Sequence, residues 1–205
     1  STDLARLAPV DQTGLLYDYW AFGRAGVEPV DRWLDLAASL PADSDPEVWL
    51  HVVDVLCQID RLYDGDGGQA AFRARARLLL APVWTRIGWA LVPNEPATAV
   101  LLRARLIETL GRFDDPAVVA QARARFARMG ADPSALPAAI REPALIVVAM
   151  QADAATWEQL HQMALASTNA LEKQQLYGVL GETRDKALAR RTLELALSAE
   201  PPTTL

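Results

Sequence analysis

Apolar residues recur with the period of an α-helix along almost the whole chain. One stripe joins Val48, Val52, Val55 and Ile59, and comparable stripes follow in the segments 72–91 and 119–129. This spacing places the apolar side chains on one face of each helix, and the strict alternation typical of strands is absent. The apolar run 145–148 also fits a buried strand, but its helical neighbours favour a buried central helix. The pattern therefore predicts an all-α fold.

Pairs of an acidic residue and a proline punctuate this pattern. Seven of the 13 prolines follow an acidic residue, and these pairs begin at Glu28, Asp45, Glu95, Asp115, Asp132, Glu142 and Glu200. An acidic side chain can accept the free N–H groups of a first helical turn, and proline at the first helical position gives up no bonded donor. We therefore interpret each pair as a helix start. Gly26 and Gly130 precede two such pairs, and we predict a left-handed helix-ending conformation for both.

These signals predict about ten helices joined by short linkers, which makes neighbouring helices antiparallel. Pro82 is expected to kink or break the long fourth helix. The predicted ranges are 10–25, 29–40, 46–63, 68–91, 96–112, 116–129, 138–151, 154–166, 169–182 and 186–198.

One phrase of the sequence is repeated. LGRFDDPAV at 110–118 matches LGETRDKAL at 180–188 in its Leu, Gly, Asp and Ala positions, and a weaker copy lies at 148–155. The anchoring residues Asp115, Asp153 and Asp185 are separated by 38 and then 32 residues, and each is predicted to open the second helix of a pair. Two helices per unit with this period are typical of an α-solenoid of the HEAT or armadillo kind. We expect one such domain over residues 1–205.

Composition disfavours several classes of protein. The net charge of −6 is opposite to that of a generic nucleic-acid-binding protein. No apolar run reaches 18 residues, so no membrane span is predicted. The single cysteine, Cys57, excludes an intrachain disulfide.

The sequence contains no recognisable catalytic or metal-binding motif. The two histidines, His51 and His161, are 110 residues apart, and both fit the boundary of an apolar helix face. The acidic run 64–68, DGDGG, lacks the third acid and the terminal glutamate of a calcium loop, so we interpret it as a linker. We therefore predict no catalytic and no metal-binding residue in this chain. From its residues alone, the chain is predicted to be a binding or structural solenoid.

Several phrases in a fixed order resemble a known family. They are PVDQTGLL at 9–16, RAG at 24–26, IGW at 87–89, LPAAIR at 136–141, AMQADAATWEQL at 149–160, TNALEK at 168–173, LG at 180–181 with Asp185, and LELALS at 193–198. This order resembles the C-terminal helical domain of the zinc aminopeptidases, the family of aminopeptidase N and puromycin-sensitive aminopeptidase. The domain is known as the endoplasmic-reticulum-aminopeptidase-like C-terminal domain.

The resemblance implies a specific role. In that family the zinc-binding motif lies upstream, and the C-terminal domain is a helical bowl that closes over the active site and shapes the peptide chamber. This chain would be a non-catalytic C-terminal fragment of a bacterial-type metallopeptidase, with no cofactor of its own and zinc in the upstream catalytic domain. Its partners would be that domain of the same polypeptide and peptide substrates, with no nucleic acid and no membrane. A cytoplasmic location is favoured, since a lone cysteine is compatible with it.

The resemblance also points to polar residues on the inner helices that could contact a peptide: Arg141, Glu172, Lys173 and Tyr177. An arginine or lysine there can pair with a peptide carboxylate, although ordinary helix-surface charges are the alternative. A second function remains open, a free-standing HEAT-like scaffold that binds a protein partner in its concave groove. The two functions share a fold and differ in what precedes the chain.

Overall fold

The computed structural model describes residues 4–201, which form ten α-helices and no strand. The all-α prediction is therefore confirmed for this part of the chain. Short 3-10 helices occupy Leu4–Arg6 and Pro133–Ala135. The α-helices are α1 (Pro9–Arg24), α2 (Val30–Ala38), α3 (Pro46–Leu62), α4 (Gln69–Ile87), α5 (Ala97–Arg112), α6 (Pro116–Met129), α7 (Ala138–Met150), α8 (Ala154–Ala166), α9 (Ala170–Leu180) and α10 (Lys186–Ala196).

These helices form two compact units that divide between Thr109 and Leu110. In unit 1, α1 packs against α2 and α3, and α3 packs against α4. In unit 2, α7 is the central helix and contacts α6, α8 and α9, while α8 also packs along α9. The predicted buried helix at 145–148 is this central helix, so the strand alternative is wrong. The largest fully buried side chains include Trp33, Trp49, Leu56 and Leu80 in unit 1, and Phe113 and Trp157 in unit 2.

The helix starts follow the predicted acid–proline rule only in part. Asp45 and Asp115 accept backbone N–H groups at the starts of α3 and α6, with the following proline at the first helical position. By contrast, Pro143 lies inside α7, so the interpretation of Glu142-Pro143 as a helix start is wrong. Pro137 lies at the N-cap of α7, and the helix has already begun by position 143.

The two predicted helix-ending glycines behave differently. Gly26 adopts a φ of 69°, as expected for a left-handed residue that ends a helix. Gly130 has a φ of −66°, so the prediction for this glycine is wrong. The N–H groups of Ala131 and Asp132 both donate to the carbonyl of Arg128, which closes the end of α6 without a left-handed residue.

Helix α4 runs without a break through Pro82, so the break is wrong, and the alternative of a kink stays a prediction. A proline in a helix deprives the carbonyl four residues earlier of its donor, and here that carbonyl belongs to Leu78. Leu78 is exposed, with 77% of its surface accessible, and Pro82 is also exposed. Water can therefore hydrate the carbonyl on this side of the helix. The helix ends at Ile87, earlier than predicted, because Gly88 takes a φ of 56°.

The repeated phrase forms repeated corners in unit 2. Asp115, Asp153 and Asp185 are the N-caps of α6, α8 and α10, and each side chain accepts backbone N–H groups of its helix. Each of the three aspartates is therefore confirmed as the residue that begins a helix. Asp114 joins the corners, because its carboxylate accepts hydrogen bonds from Gln151 and from Arg184.

Two buried ion pairs connect elements of unit 1: one joins a loop to α5, and the other joins α3 to α4. Arg103 is only 1% exposed, and its guanidinium forms two short hydrogen bonds to Glu95, of 2.6 and 2.7 Å, and one to the carbonyl of Gly88. This pair ties the loop 88–96 to α5. Asp60, at the end of α3, is 4% exposed and accepts two bonds from Arg73 on α4. A buried charge costs several kcal/mol unless it is paired in this way, so each partner requires the other.

Gly111 provides a test of the close packing between the end of α5 and α7. A Cβ atom at this position would overlap both methyl groups of Val147 and lie 3.0 Å from its Cβ. We expect Gly111→Ala to destabilise the fold by about 1–3 kcal/mol, the cost of inserting a methyl group into a close-packed contact. Chemical denaturation followed by circular dichroism measures this change.

Gly178→Ala is the matched control, since Gly178 lies within α9 and a Cβ atom there would meet nothing within 4 Å. This variant should be more stable by about 0.5–1 kcal/mol, because alanine loses less backbone entropy in a helix than glycine. Equal effects of the two substitutions would contradict the packing described for Gly111.

Candidate functional site

The four predicted peptide-contacting residues all lie in unit 2, but they form two separate pairs. Arg141, on α7, and Glu172, on α9, contact each other across a cleft. Lys173 and Tyr177 lie one turn apart on α9 and are associated instead with Glu200, in the segment after α10. Adjacent positions of a helix point about 100° apart, so Glu172 and Lys173 cannot serve one site from neighbouring positions.

The Arg141–Glu172 pair is partly exposed and loosely formed. The Arg141 Nη1 atom donates to Glu172 Oε1 over 3.4 Å, and its Nε atom donates to the carbonyl of Leu136. The other oxygen of Glu172 accepts the hydroxyl of Ser167 at 2.8 Å. Glu172 is itself placed by Asn169, whose side chain caps α9 by accepting the Glu172 N–H. The cap at Asn169 therefore fixes Glu172 in the first turn of α9, from which its side chain reaches Arg141.

The cleft beside this pair has a volume of about 310 Å³. Its floor is apolar, with Leu145 from α7 and Leu176 from α9. Its rim is polar, because Gln175 donates to Glu142 over 3.0 Å in a second contact between the same two helices. An apolar floor with a few polar groups at its rim is the usual composition of a small binding site.

The charges of the cleft limit what it can bind. Arg141 is the cation among its lining residues, and Glu142 and Glu172 are anions. A peptide carboxylate that binds Arg141 must compete with Glu172 and approach a second negative charge. The long distance between Arg141 and Glu172 weakens the existing ion pair. Because a guanidinium has five N–H donors, Arg141 can also donate to a second carboxylate.

The second pair belongs to a polar cluster that holds the segment after α10. Glu200 Oε1 lies 2.6 Å from Nε2 of His161 and accepts the hydroxyl of Tyr177 at 2.9 Å. The His161 ring packs against Trp157, one turn earlier on α8, with ring centroids 5.2 Å apart. His161 is buried, with 8% of its surface exposed, and its place at the edge of an apolar face stays a prediction. The cluster connects α8 and α9 to the residues that follow α10.

The ionisation of this cluster follows from its contacts. The hydrogen bond from His161 lowers the pKa of Glu200, burial opposes that shift, and the Tyr177 hydroxyl and the charge of Lys173 lower the pKa further. Burial, together with the hydrogen bond to Glu200, raises the pKa of Tyr177 to about 12. Tyr177 therefore stays protonated at neutral pH and serves as a donor. Glu200 accepts hydrogen bonds from two donors, His161 and Tyr177. No residue of this cluster lines the cleft beside Arg141, so we interpret the cluster as structural.

A larger groove of unit 2 was not predicted. It has a volume of about 860 Å³, lies between α6 and α8, and has Val148 of α7 at its floor. Phe126, Met129 and Met163 make its walls mainly apolar, with Arg123 and Glu158 among its charged residues. The sequence places Phe126 and Met129 in the apolar stripe of the segment 119–129. Only the spacing between α6 and α8 leaves these side chains beside an open groove, and sequence does not give that spacing.

Residues 4–201 contain no group of three or more histidine, cysteine, aspartate or glutamate side chains placed to hold a metal ion. Within the same range, no helix combines the length and the apolar character needed to cross a membrane. His51 lies in unit 1 and His161 in unit 2. The ring of His51 packs against Tyr17, with centroids 3.9 Å apart and the rings tilted by 41°, and burial lowers the pKa of His51.

Tyr177→Phe tests the hydrogen bond from the Tyr177 hydroxyl to Glu200. We expect the variant to lose about 0.5–1.5 kcal/mol of stability at pH 7, the range for one hydrogen bond. The native pKa of Glu200 is lowered, so its contribution is present above the pKa of an unfolded glutamate, about 4.3, and is lost as the pH falls. The difference between variant and parent should therefore shrink at pH 3. Urea denaturation at the two pH values measures it.

Tyr17→Phe is the control for this experiment, because Tyr17 is 56% exposed and its contact with His51 is through the ring. This substitution should leave stability nearly unchanged at both pH values. A loss in Tyr177→Phe that is the same at pH 3 and pH 7 would argue against an ionised Glu200 as the acceptor.

The comparison with protein families covers nearly the whole chain. Residues 2–204 match the family described as the ERAP1-like C-terminal domain. The match includes both units and every helix described above. It agrees with the resemblance seen in the sequence, and it places the Arg141 cleft and the Glu200 cluster within one family domain. The chain therefore belongs to the ERAP1-like C-terminal domain family of the M1 aminopeptidases.

Proposed function

We propose that this chain is the non-catalytic C-terminal domain of a zinc aminopeptidase, an enzyme that removes N-terminal residues from peptides. In this role it caps the active site and shapes the chamber that admits peptides. The observation that carries the proposal is the family match over residues 2–204. In this proposal, the upstream catalytic domain of the same polypeptide is the partner that holds the zinc. Zinc would polarise the water that attacks the peptide bond in that partner domain.

In this proposal the chain contributes a surface for the peptide. The Arg141 cleft has the required properties, because it is open, apolar at its floor and polar at its rim. Arg141 would pair with a carboxylate of a long peptide, and Glu172, which accepts the Ser167 hydroxyl, would hold the guanidinium in position. Lys173 and Tyr177 would act less directly, since Tyr177 is engaged by Glu200.

We further propose that residues 1–205 form one α-solenoid with HEAT-like helix pairs and belong to a longer metallopeptidase. The corners capped by Asp115, Asp153 and Asp185 support this arrangement, since one structural device opens three successive second helices of unit 2. The hydrogen bonds from Gln151 and Arg184 to Asp114 support it as well, because they connect the three corners. A cytoplasmic location also belongs to the proposal, and the lone Cys57 is compatible with it.

Peptide mass mapping of the native gene product tests the assignment. The product is captured with an antibody to this segment and digested. Upstream peptides that contain an HExxH motif and a downstream glutamate ligand are expected. A native product that begins near Ser1 would overturn the assignment and favour the alternative, a free-standing scaffold with a protein partner in its groove.

Arg141→Ala tests the role of the cleft in the intact polypeptide. We expect KM for long peptides to rise about two- to fivefold, because one partly solvated ion pair contributes up to about 1 kcal/mol. Turnover of a single amino-acid amide should stay unchanged, since that substrate is too short to reach a remote cleft. Steady-state kinetics on the two substrates separate these effects.

Arg190→Ala is the matched control, because Arg190 is an exposed arginine on α10 that does not line the cleft. It removes the same charge from the same unit and should leave both substrates unaffected. If Arg141→Ala and Arg190→Ala gave the same kinetics on long peptides, Arg141 would be an ordinary surface charge.

A further inference from the structure

Unit 1 contains a cavity that the proposed function does not use. Its volume is about 620 Å³, and four helices contribute to its walls. Trp20 comes from α1, Leu34 from α2, Ile59 from α3 and Phe72 from α4. A volume between 300 and 1,000 Å³ and a predominantly apolar and aromatic lining are typical of sites for small molecules.

The walls of this cavity are fixed by packing. Trp20 and Phe72 are each 8% exposed, so their rings are part of the core and present only one edge or face to the cavity. Phe72 stacks on Tyr63, with centroids 5.6 Å apart and an interplanar angle of 19°. Trp20 packs against Trp33, whose indole N–H donates to the carbonyl of Leu16. A ligand would therefore meet a preformed aromatic surface and would not have to order it.

The rim of the cavity is negatively charged. Its charged lining residues are Asp31 and Arg75, and Arg75 is neutralised by Asp35 at 2.7 Å. Asp31 makes no ion pair with another residue of the described range, and it lies in the first turn of α2. Asp66 lies near the rim as well, since its side chain accepts the N–H of the lining residue Gly68. Around the opening, the three carboxylates of Asp31, Asp35 and Asp66 outnumber the one guanidinium of Arg75, which favours a cationic ligand.

We propose that this cavity binds a small hydrophobic cation, a molecule with an apolar or aromatic body and a protonated amine. The apolar body would pack between Leu34, Ile59 and the ring of Phe72, and the ammonium group would lie at the rim beside Asp31. The inference does not rest on the proposed function, since the walls and charges of unit 1 carry it alone.

Three probes that share one body but differ in charge test the proposal: phenethylamine, phenethyl alcohol and phenylacetate. Binding to the full chain is followed by the shifts of backbone amide signals in nuclear magnetic resonance spectra. We expect the amine to bind most tightly, the alcohol more weakly and the carboxylate most weakly, with the largest shifts at the amides of Leu34, Gly68 and Ala71. Shifts located elsewhere, or no shift up to the solubility limit, would overturn the proposal.

Two variants separate the charge from the cavity. Asp31→Asn keeps the shape of the rim and should weaken amine binding about two- to fivefold without changing alcohol binding. Asp18→Asn is its control, because it removes the same charge from an exposed position of α1 outside the cavity lining. Ala71→Trp fills the cavity from an exposed lining position and should abolish binding of all three probes.

Each result has a defined meaning. Equal affinities of the unaltered chain for amine and alcohol would overturn the charge selectivity, and so would equal losses in Asp31→Asn and Asp18→Asn. Retained binding in a folded Ala71→Trp variant would overturn the location. If Ala71→Trp did not fold, the Asp31→Asn comparison and the shift pattern of the unaltered chain would still decide the question.

Discussion

The carboxylate of Asp114 forms the hydrogen bonds that connect the corners of unit 2 to one another. It accepts hydrogen bonds from Gln151, after α7, and from Arg184, after α9, and Arg184 also donates to the carbonyl of Arg112 at the end of α5. Asp114 itself adopts a φ of 58°, a conformation that residues other than glycine rarely take. The backbone at this corner is therefore strained, and the polar contacts and the neighbouring cap at Asp115 compensate for the strain.

Much of this arrangement was predictable, because it depends on local chemistry. An aspartate followed by a helical apolar stripe specifies a cap wherever it occurs, and Asp115, Asp153 and Asp185 all act as predicted. The partners of Asp114 were not predictable, since Gln151 and Arg184 are 37 and 70 residues away in sequence. Gly111 is an intermediate case: the repeat identified it, but only the structure shows that its missing side chain admits Val147.

The candidate site shows the same limit. Arg141 and Glu172 were both recognised as polar residues on packed helices, and their contact required only that α7 and α9 be neighbours. Lys173 and Tyr177 are predicted with them as polar residues of the inner helices, but on α9 both are associated with Glu200 instead. The cavity beside Trp20 and the groove beside Phe126 could not be predicted from the sequence. The sequence pattern of an apolar residue is the same whether its side chain lines an open cavity or packs in the core.

The buried ion pairs of unit 1 have a consequence for how such a sequence can evolve. Replacing Arg103 alone would leave Glu95 ionised in a nearly dry site, and replacing Glu95 alone would strand a guanidinium that is 1% exposed. Asp60 and Arg73 form a similar pair. Loss of either partner alone is destabilising, so substitutions at these positions should covary among descendants of this sequence. An apolar pair of similar volume would be a permitted end point, reached through a less stable intermediate.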